Sequence, residues 1–139
     1  MLENLLRLSN DRLRPLLTKG LRRAQVIRNW CREASCTKTE ARAVRLLKEW
    51  LSAQQLAQFN AHRYFDVIGY HTAKRYRIRY GTAGNIYELD CAGRPQSILC
   101  FVPNRSLVAG DVMLAQKIAL ETDERSALAV AKRFAPNWH

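Results

Sequence analysis

The chain contains no long apolar run and few acidic residues. No stretch approaches the roughly 20 consecutive apolar residues that a helix needs to span a bilayer. Of the 139 residues, only 12 are Asp or Glu, whereas 23 are Lys or Arg, so the formal net charge is +11 at pH 7. A small protein with this excess of positive charge attracts polyanions, of which nucleic acid is the commonest in a cell.

Motifs that indicate an enzyme are also missing. The sequence has no glycine-rich phosphate loop and no nucleophile elbow. His62, Asp66 and His71, with a cysteine, are conceivable as a catalytic set, but their spacing does not force them together. We therefore expect no catalytic residues and a protein that is not an enzyme. An enzyme using these side chains remains an alternative.

The cysteines predict neither a disulfide framework nor a metal site. Four cysteines in 139 residues are too sparse for a disulfide scaffold, and they stand at Cys31, Cys36, Cys91 and Cys100. Cys31 and Cys36 lack the second closely spaced pair that structural zinc sites use. Acidic residues and arginines interrupt the first 20 residues, which argues against a secretory signal. We expect reduced thiols, no metal, no cofactor and a cytoplasmic location.

The N-terminal half has the pattern of helices. We predict a basic amphipathic helical arm over residues 1–35, in which Pro15 breaks or kinks the first helix, and a second domain over residues 36–139. Thr37 to Glu40 has the pattern of a capping box and predicts a helix to about Trp50. Ser52 to Gln55 has the same pattern and predicts a short helix that follows.

The second half has the pattern of an antiparallel sheet followed by a helix. Predicted strands cover Tyr64–Ile68, Lys74–Tyr80, Asn85–Leu89 and Gln96–Val102, with glycine-containing segments between them. Asp111 is predicted to be the N-cap of a final helix that extends towards Phe134, with a break or a recapping point at Thr122-Asp123. The fold class is therefore α+β, with N-terminal helices, a three- to four-stranded antiparallel meander and a C-terminal helix.

Several segments between about residues 50 and 134 resemble a group of small bacterial proteins. The quoted stretches are Trp50-Leu51-Ser52, residues 64–69, residues 76–81, residues 85–90 and residues 110–117. The resemblance implies a bacterial type of domain and implies no activity. The order strand, strand, helix is also similar to the SWIM zinc module. That module needs a histidine in the helix, and this chain has none there before His139, so we expect no zinc by that route.

Alternation along Lys74–Tyr80 gives the sharpest local signal for binding. It places Arg75, Arg77 and Arg79 on one face and the tyrosines and isoleucine on the other. Side chains two residues apart lie about 6.6–6.8 Å apart, which suits a phosphate backbone. Tyr76, Tyr80 and Tyr87 are candidates for stacking on unpaired bases. The plainer interpretation is a solvated sheet face over a tyrosine core.

The sequence thus predicts a small basic protein that binds DNA or RNA through phosphates with limited sequence specificity. The predicted nucleic-acid-binding residues are Lys74, Arg75, Arg77, Arg79, Arg22, Arg23, Arg28, Arg32, Arg42 and Arg45. The alternative is an adaptor that binds a protein partner or a second copy of itself through a leucine-rich N-terminal surface. Its predicted residues are Leu5, Leu6, Leu13, Leu16 and Leu17. An anionic membrane surface is the less favoured partner for the same segment.

Overall fold

A computed structural model describes residues 37–101 and 106–137. From Thr39 onward the chain forms one compact unit. The predicted arm over residues 1–35, with its leucines and Arg22, Arg23, Arg28 and Arg32, lies outside the described residues. None of the helices that the structure describes is long and apolar enough to cross a membrane.

Helices precede the first strand along the chain, and two more helices come before the last strand. Helix α1 covers residues 37–50 and α2 covers Ala53–His62. Five strands are present in the described parts of the chain: β1 (Tyr64–Ile68), β2 (Arg75–Arg79), β3 (Ile86–Leu89), β4 (Pro95–Cys100) and β5 (Lys132–Phe134). Helices α3 (Ala109–Thr122) and α4 (Glu124–Val130) lie between β4 and β5. The predicted α+β class is confirmed.

The five strands form one antiparallel sheet in sequence order, β1-β2-β3-β4-β5. The fifth strand is the main departure from the predicted meander. The sequence pattern predicted that Ala131 and Phe134 continue the last helix, but α4 ends at Val130 and Phe134 pairs with Ile98 of β4. Three exposed residues give too short an alternation for a strand to be recognised from the sequence.

Alternation in the strands gives the sheet two different faces. The inner face carries Phe65, Val67, Ile78, Ile86 and Leu99, which pack with Leu47 of α1, Phe59 of α2, Met113 and Leu120 of α3 and Ala127 of α4. The outer face carries a row of residues paired across all five strands: Asp66, Arg77, Tyr87, Ile98 and Phe134. The helices therefore cover one face, and the sequence uses the other for charged and aromatic side chains.

Two of the predicted helix caps differ from the structure. Ser52 and Gln55 form the predicted capping box of α2, with both reciprocal hydrogen bonds present. Residue 37, however, is already helical, so Thr37 is not an N-cap. Asp111 is not one either, since α3 begins at Ala109 behind Val108. The predicted recapping at Asp123 is confirmed, because its side chain accepts a hydrogen bond from the backbone N–H of Ser126.

Glu40 stabilises the start of α3 in place of a local cap. Its Oε1 accepts hydrogen bonds from the Gly110 backbone N–H at 3.2 Å and from the Tyr80 hydroxyl at 2.6 Å. A carboxylate is favoured there because the first N–H groups of a helix lack partners within the helix. Tyr80, which the plainer interpretation of the sequence placed in the core, is 40% exposed and links the end of β2 to α1.

A buried carboxylate attaches the β1–β2 loop to α4. Glu124 is fully buried, and its Oε2 accepts the backbone N–H groups of His71 and Thr72, both at 2.8 Å. Its Oε1 accepts the hydroxyls of Thr72 at 2.5 Å and Tyr76 at 2.6 Å. Burial alone would raise the pKa of Glu124, but these hydrogen bonds outweigh it and hold the pKa below its ordinary value.

Replacing Tyr76 with Phe is expected to lower the free energy of unfolding by about 1–2 kcal/mol, because Glu124 then loses one buried donor. Burial and the hydrogen bond to Glu124 raise the pKa of Tyr76, so the phenol remains a donor at neutral pH. Urea unfolding measures the change. Tyr70→Phe is the matched control, since Tyr70 is 67% exposed. Equal stability of the two variants would contradict this assignment.

Candidate nucleic-acid interface

Four side chains on β1, β2 and β3 lie together on the outer sheet face, near the end where β1 begins and β2 ends. Tyr64 pairs with Arg79 across β1 and β2, and Arg77 pairs with Tyr87 across β2 and β3. Paired residues share a face, so the two arginines lie next to each other on β2, with Tyr64 beside Arg79 on β1 and Tyr87 beside Arg77 on β3. We call these four residues the tyrosine–arginine patch. The strands supply this arrangement through alternation alone, with Phe65, Ile78 and Ile86 on the inner face.

The arginines of this patch also lie over its aromatic rings. The guanidinium carbon of Arg77 is 4.0 Å from the centre of the Tyr64 ring. That of Arg79 is 5.6 Å from the centre of the Tyr87 ring. Both distances are within the range of a cation–π attraction, which holds each guanidinium group over its tyrosine ring. The His62 ring adds to this surface, because it stacks on Tyr64 with ring centres 5.3 Å apart and an angle of 14° between planes.

Arg77 is not available as an isolated charge. Its Nε donates to Asp66 Oδ1 at 2.8 Å and its Nη2 donates to Asp66 Oδ2 at 3.0 Å, so the two side chains form a bidentate ion pair. The hydrogen bond from Arg77 to Asp66, despite the opposing effect of burial, raises the pKa of Arg77 above its ordinary value. This guanidinium fixes the geometry of the patch, and its charge is largely balanced by Asp66.

Arg75 is also partly committed. Its Nε lies 3.9 Å from Asp66 Oδ2, too far for a hydrogen bond. The β3–β4 turn approaches it closely, since a Cβ on Gly93 would lie 2.8 Å from a terminal nitrogen of Arg75. Gly93 has φ +79°, a conformation that glycine adopts without strain. Arg75 is therefore held between Asp66 and this turn, at one side of the patch.

Arg79 is the arginine of this row with a free charge. Among the residues that the structure describes, no carboxylate lies within ion-pair distance of Arg79, whereas Arg75 and Arg77 share Asp66. Its side chain is exposed at the end of β2. Three arginines and one aspartate leave this part of the face with an excess of positive charge, and Arg79 carries the most accessible part of it.

Lys74 lies apart from the arginine row that it was predicted to join. Its Nζ donates to Glu88 Oε1 at 2.7 Å, and Glu88 is a buried residue that pairs with Tyr76 on the inner face. Arg133 donates to Glu88 Oε2 at 2.5 Å and to the Ser97 hydroxyl at 2.7 Å. Burial would raise the pKa of Glu88, but the two cations hold it below its ordinary value. Lys74 thus neutralises a buried carboxylate.

The remaining predicted residues are placed as follows. Arg42 and Arg45 are exposed on α1, and Arg45 makes only a loose ion pair with Glu49 at 3.9 Å. Tyr76 is fully buried on the inner face, which confirms its interpretation as a core residue and excludes it as a candidate for stacking on bases. Tyr87 does lie with the arginines. Tyr64 and His62 were not included in the predicted binding surface, although the alternation of β1 would have placed Tyr64 opposite the arginines of β2.

The tyrosine–arginine patch lines a recess of about 370 Å³. Its lining residues are His62, Tyr64, Arg77, Arg79, Tyr87 and Pro95. No carboxylate is among these described residues, and the nearby carboxylate of Asp66 is paired with Arg77. A second groove, of about 800 Å³, lies beside α2 and has Asp66 and Glu121 in its lining. Of the two, the recess has the charge and the ring surfaces that suit an anion carrying a flat ring.

The structure does not add a metal centre to this surface. Within residues 37–101 and 106–137, no three His, Cys, Asp or Glu side chains are placed to hold a metal ion. Cys91 is exposed and Cys100 is half-buried, and both are free thiols.

Comparisons with protein-family models, with curated proteins and with solved structures gave no match. The geometry of the site is therefore the basis for a functional proposal.

Proposed function

We propose that this protein binds nucleic acid, without catalysis, through the outer face of its sheet. The observation that carries the proposal is the tyrosine–arginine patch, in which the charge of Arg79, unpaired among the described residues, lies beside Tyr87. Phosphate oxygens accept hydrogen bonds from guanidinium groups, and tyrosine rings offer surfaces to bases or sugars. A DNA or RNA strand fits both features of one surface.

The charge of the whole chain supports the same partner. Residues 39–139 contain 14 Lys or Arg and 9 Asp or Glu, so this part alone has a net charge of +5. Residues 1–38 contain 9 basic and 3 acidic residues, a further excess of +6. Such an excess accelerates encounters with a polyanion and supplies binding that does not depend on base sequence. We therefore propose limited sequence specificity.

Binding of a fluorescent oligonucleotide tests the proposal. We expect measurable affinity at about 50 mM salt that falls steeply by about 200 mM, because each phosphate contact releases condensed counterions. Anisotropy titrations at several salt concentrations give the slope of log affinity against log salt. Absence of binding at the low salt concentration, or affinity that does not respond to salt, would overturn the proposal.

Arg79→Gln is expected to weaken binding similarly for all base sequences. It should also make the salt slope shallower by about 0.7 for a single strand and about 0.9 for duplex DNA, since one phosphate contact is lost. Arg125→Gln removes the same charge from an exposed position on α4, at the inner side of the sheet, and is the matched control. Equal slopes for the two variants would show that Arg79 makes no phosphate contact.

Arg77 is a poor choice for the same experiment, although it belongs to the predicted row. Its replacement would leave the carboxylate of Asp66, whose side chain is 13% exposed, without its bidentate partner. A loss of nucleic-acid binding in Arg77→Gln would then not distinguish altered folding from the loss of a contact with the nucleic acid. The interpretation of the three arginines as a solvated sheet face is corrected for Arg77 by this ion pair.

A further inference from the structure

We infer that the ligand of the recess is an unpaired base with its adjoining phosphate, so that the protein prefers single strands to duplexes. This inference rests on the proposed function and specifies its ligand. The recess brings three flat rings, those of His62, Tyr64 and Tyr87, together with the guanidinium groups of Arg77 and Arg79. Rings and cations in one concave site complement a nucleotide.

The stacked pair His62–Tyr64 provides one wall of this site. His62 is the last residue of α2, and Arg63, which follows it, has φ +59° and ends the helix. That turn brings the chain directly into β1, so His62 and Tyr64 lie near each other at one end of the sheet. An incoming base would extend an existing stack. Stacking accepts any base, since each has a flat π surface.

Tyr87 and Arg79 supply a further ring and an accessible charge to the recess. Tyr87 is a half-buried residue on β3. The neighbouring strands β2 and β4 support its ring on both sides. Arg79 lies above that ring with its charge unpaired among the described residues. A base against Tyr87 would place its neighbouring phosphate within reach of this guanidinium. The same residues thus meet both parts of one nucleotide.

A duplex cannot use the rings of this site. Bases in a duplex are stacked on each other, and a volume of about 370 Å³ is at the lower end of the range for small-molecule pockets. A duplex would touch Arg79 through phosphates alone. Single-stranded DNA and RNA present the same base and phosphate chemistry, and RNA adds the 2′-hydroxyl. Preference for a single strand is therefore the property that separates this inference from general attraction to polyanions.

The experiment compares four fluorescent probes at about 50 mM salt with the full chain. They are a 12-nucleotide thymidine strand, the corresponding uridine strand, a 12-base-pair duplex and a strand with abasic sites at its centre. We expect the two intact strands to bind about 5- to 150-fold more tightly than the abasic strand, which keeps the phosphates but lacks bases to stack. The ratio of the thymidine and uridine affinities distinguishes DNA from RNA.

Variants of Tyr87 connect this preference to the recess. Tyr87→Leu is expected to reduce affinity for the intact strands by the same 5- to 150-fold and to leave affinity for the duplex unchanged. Tyr87→Phe keeps the ring and should retain binding, which controls for altered folding. Tyr70→Leu removes a tyrosine that is 67% exposed outside the recess and should change nothing.

Each outcome has a definite consequence. Preference for intact strands that Tyr87→Leu abolishes supports the inference. Salt-dependent binding in which the duplex and the abasic strand bind as tightly as the intact strands, or in which Tyr87→Leu has no effect, overturns the inference and leaves the proposed function in place. Failure of all four probes to bind overturns both.

Discussion

Glu124→Ala is expected to lower the free energy of unfolding by about 3–5 kcal/mol, the largest effect of any substitution considered for this protein. Removing this carboxylate leaves two backbone N–H groups and two hydroxyls without their acceptor, and the Tyr76 hydroxyl among them is buried. A small domain is stable by only about 5–15 kcal/mol, so much of its stability would be lost. Urea unfolding monitored by circular dichroism gives the value.

Glu49→Ala is the control for this substitution. The Glu49 side chain is 63% exposed and has a loose ion pair with Arg45, so its removal should stay within about 0.5 kcal/mol. Gly69→Ala should resemble Glu124→Ala, since a Cβ on Gly69 would lie 2.3 Å from Glu124 Oε1. A small effect of Glu124→Ala would mean that the β1–β2 loop is held by other contacts.

The carboxylate of Glu124 makes the free energy of unfolding depend on pH in the acidic range. The pKa of Glu124 is lower in the folded protein than its ordinary value, so its contribution is fully present above the ordinary value. That contribution is lost as the pH falls through the lowered pKa. Glu124→Gln should therefore unfold with a smaller dependence on pH below about pH 5 than the unaltered chain. Glu88, Asp90 and Asp123 contribute in the same direction, because their pKa values are also lowered.

Gly110→Ala is expected to cost about 2 kcal/mol, although alanine is the better helix former. A Cβ at this position would lie 2.6 Å from the backbone carbon of Ala43 and 2.6 Å from the backbone nitrogen of Val44. These are backbone atoms of α1, so a side chain cannot rotate to make room, and the two helices would have to separate. The gain of about 1 kcal/mol in helix propensity is smaller than this overlap.

Gly84→Ala is the comparison for the effect of the added methyl group. Gly84 has φ +59°, and a Cβ added there would meet no atom within 4 Å, so its replacement costs only the conformational strain of about 1 kcal/mol. Thermal and urea unfolding of both variants separates steric overlap from strain. An increase in stability for Gly110→Ala would show that α1 and α3 are not in tight contact.

Much of the fold was predictable because its signals are local. The strict alternation of β2 gave the correct faces for Tyr76 and Arg77, and the Ser52–Gln55 pattern gave a real capping box. Strand β1 was predicted with its observed bounds, Tyr64–Ile68. These features depend on residues within a few positions of each other.

The errors arose where distant residues decide the structure. Glu40 was expected to cap its own helix, but its carboxylate contacts Gly110, which is 70 positions away. The charge of Lys74 was expected to be free, and it is bound to Glu88. No local pattern reveals which carboxylate a cation will meet in the folded chain. The availability of Arg79 and the commitment of Arg77 could likewise be learned only from the sheet register.

The open edge of β1 is shielded by amide side chains from α2. The backbone N–H of Asp66 donates to Gln58 Oε1 at 2.9 Å, and Gln55 Nε2 donates to the Asp66 carbonyl at 3.0 Å. These two side chains take the place that the backbone of a sixth strand would occupy. Fusion of two sheets through β1, the step that begins fibrous aggregation, would first have to break both bonds. The helix that supplies His62 to the recess therefore also protects the sheet against pairing with a second copy of itself.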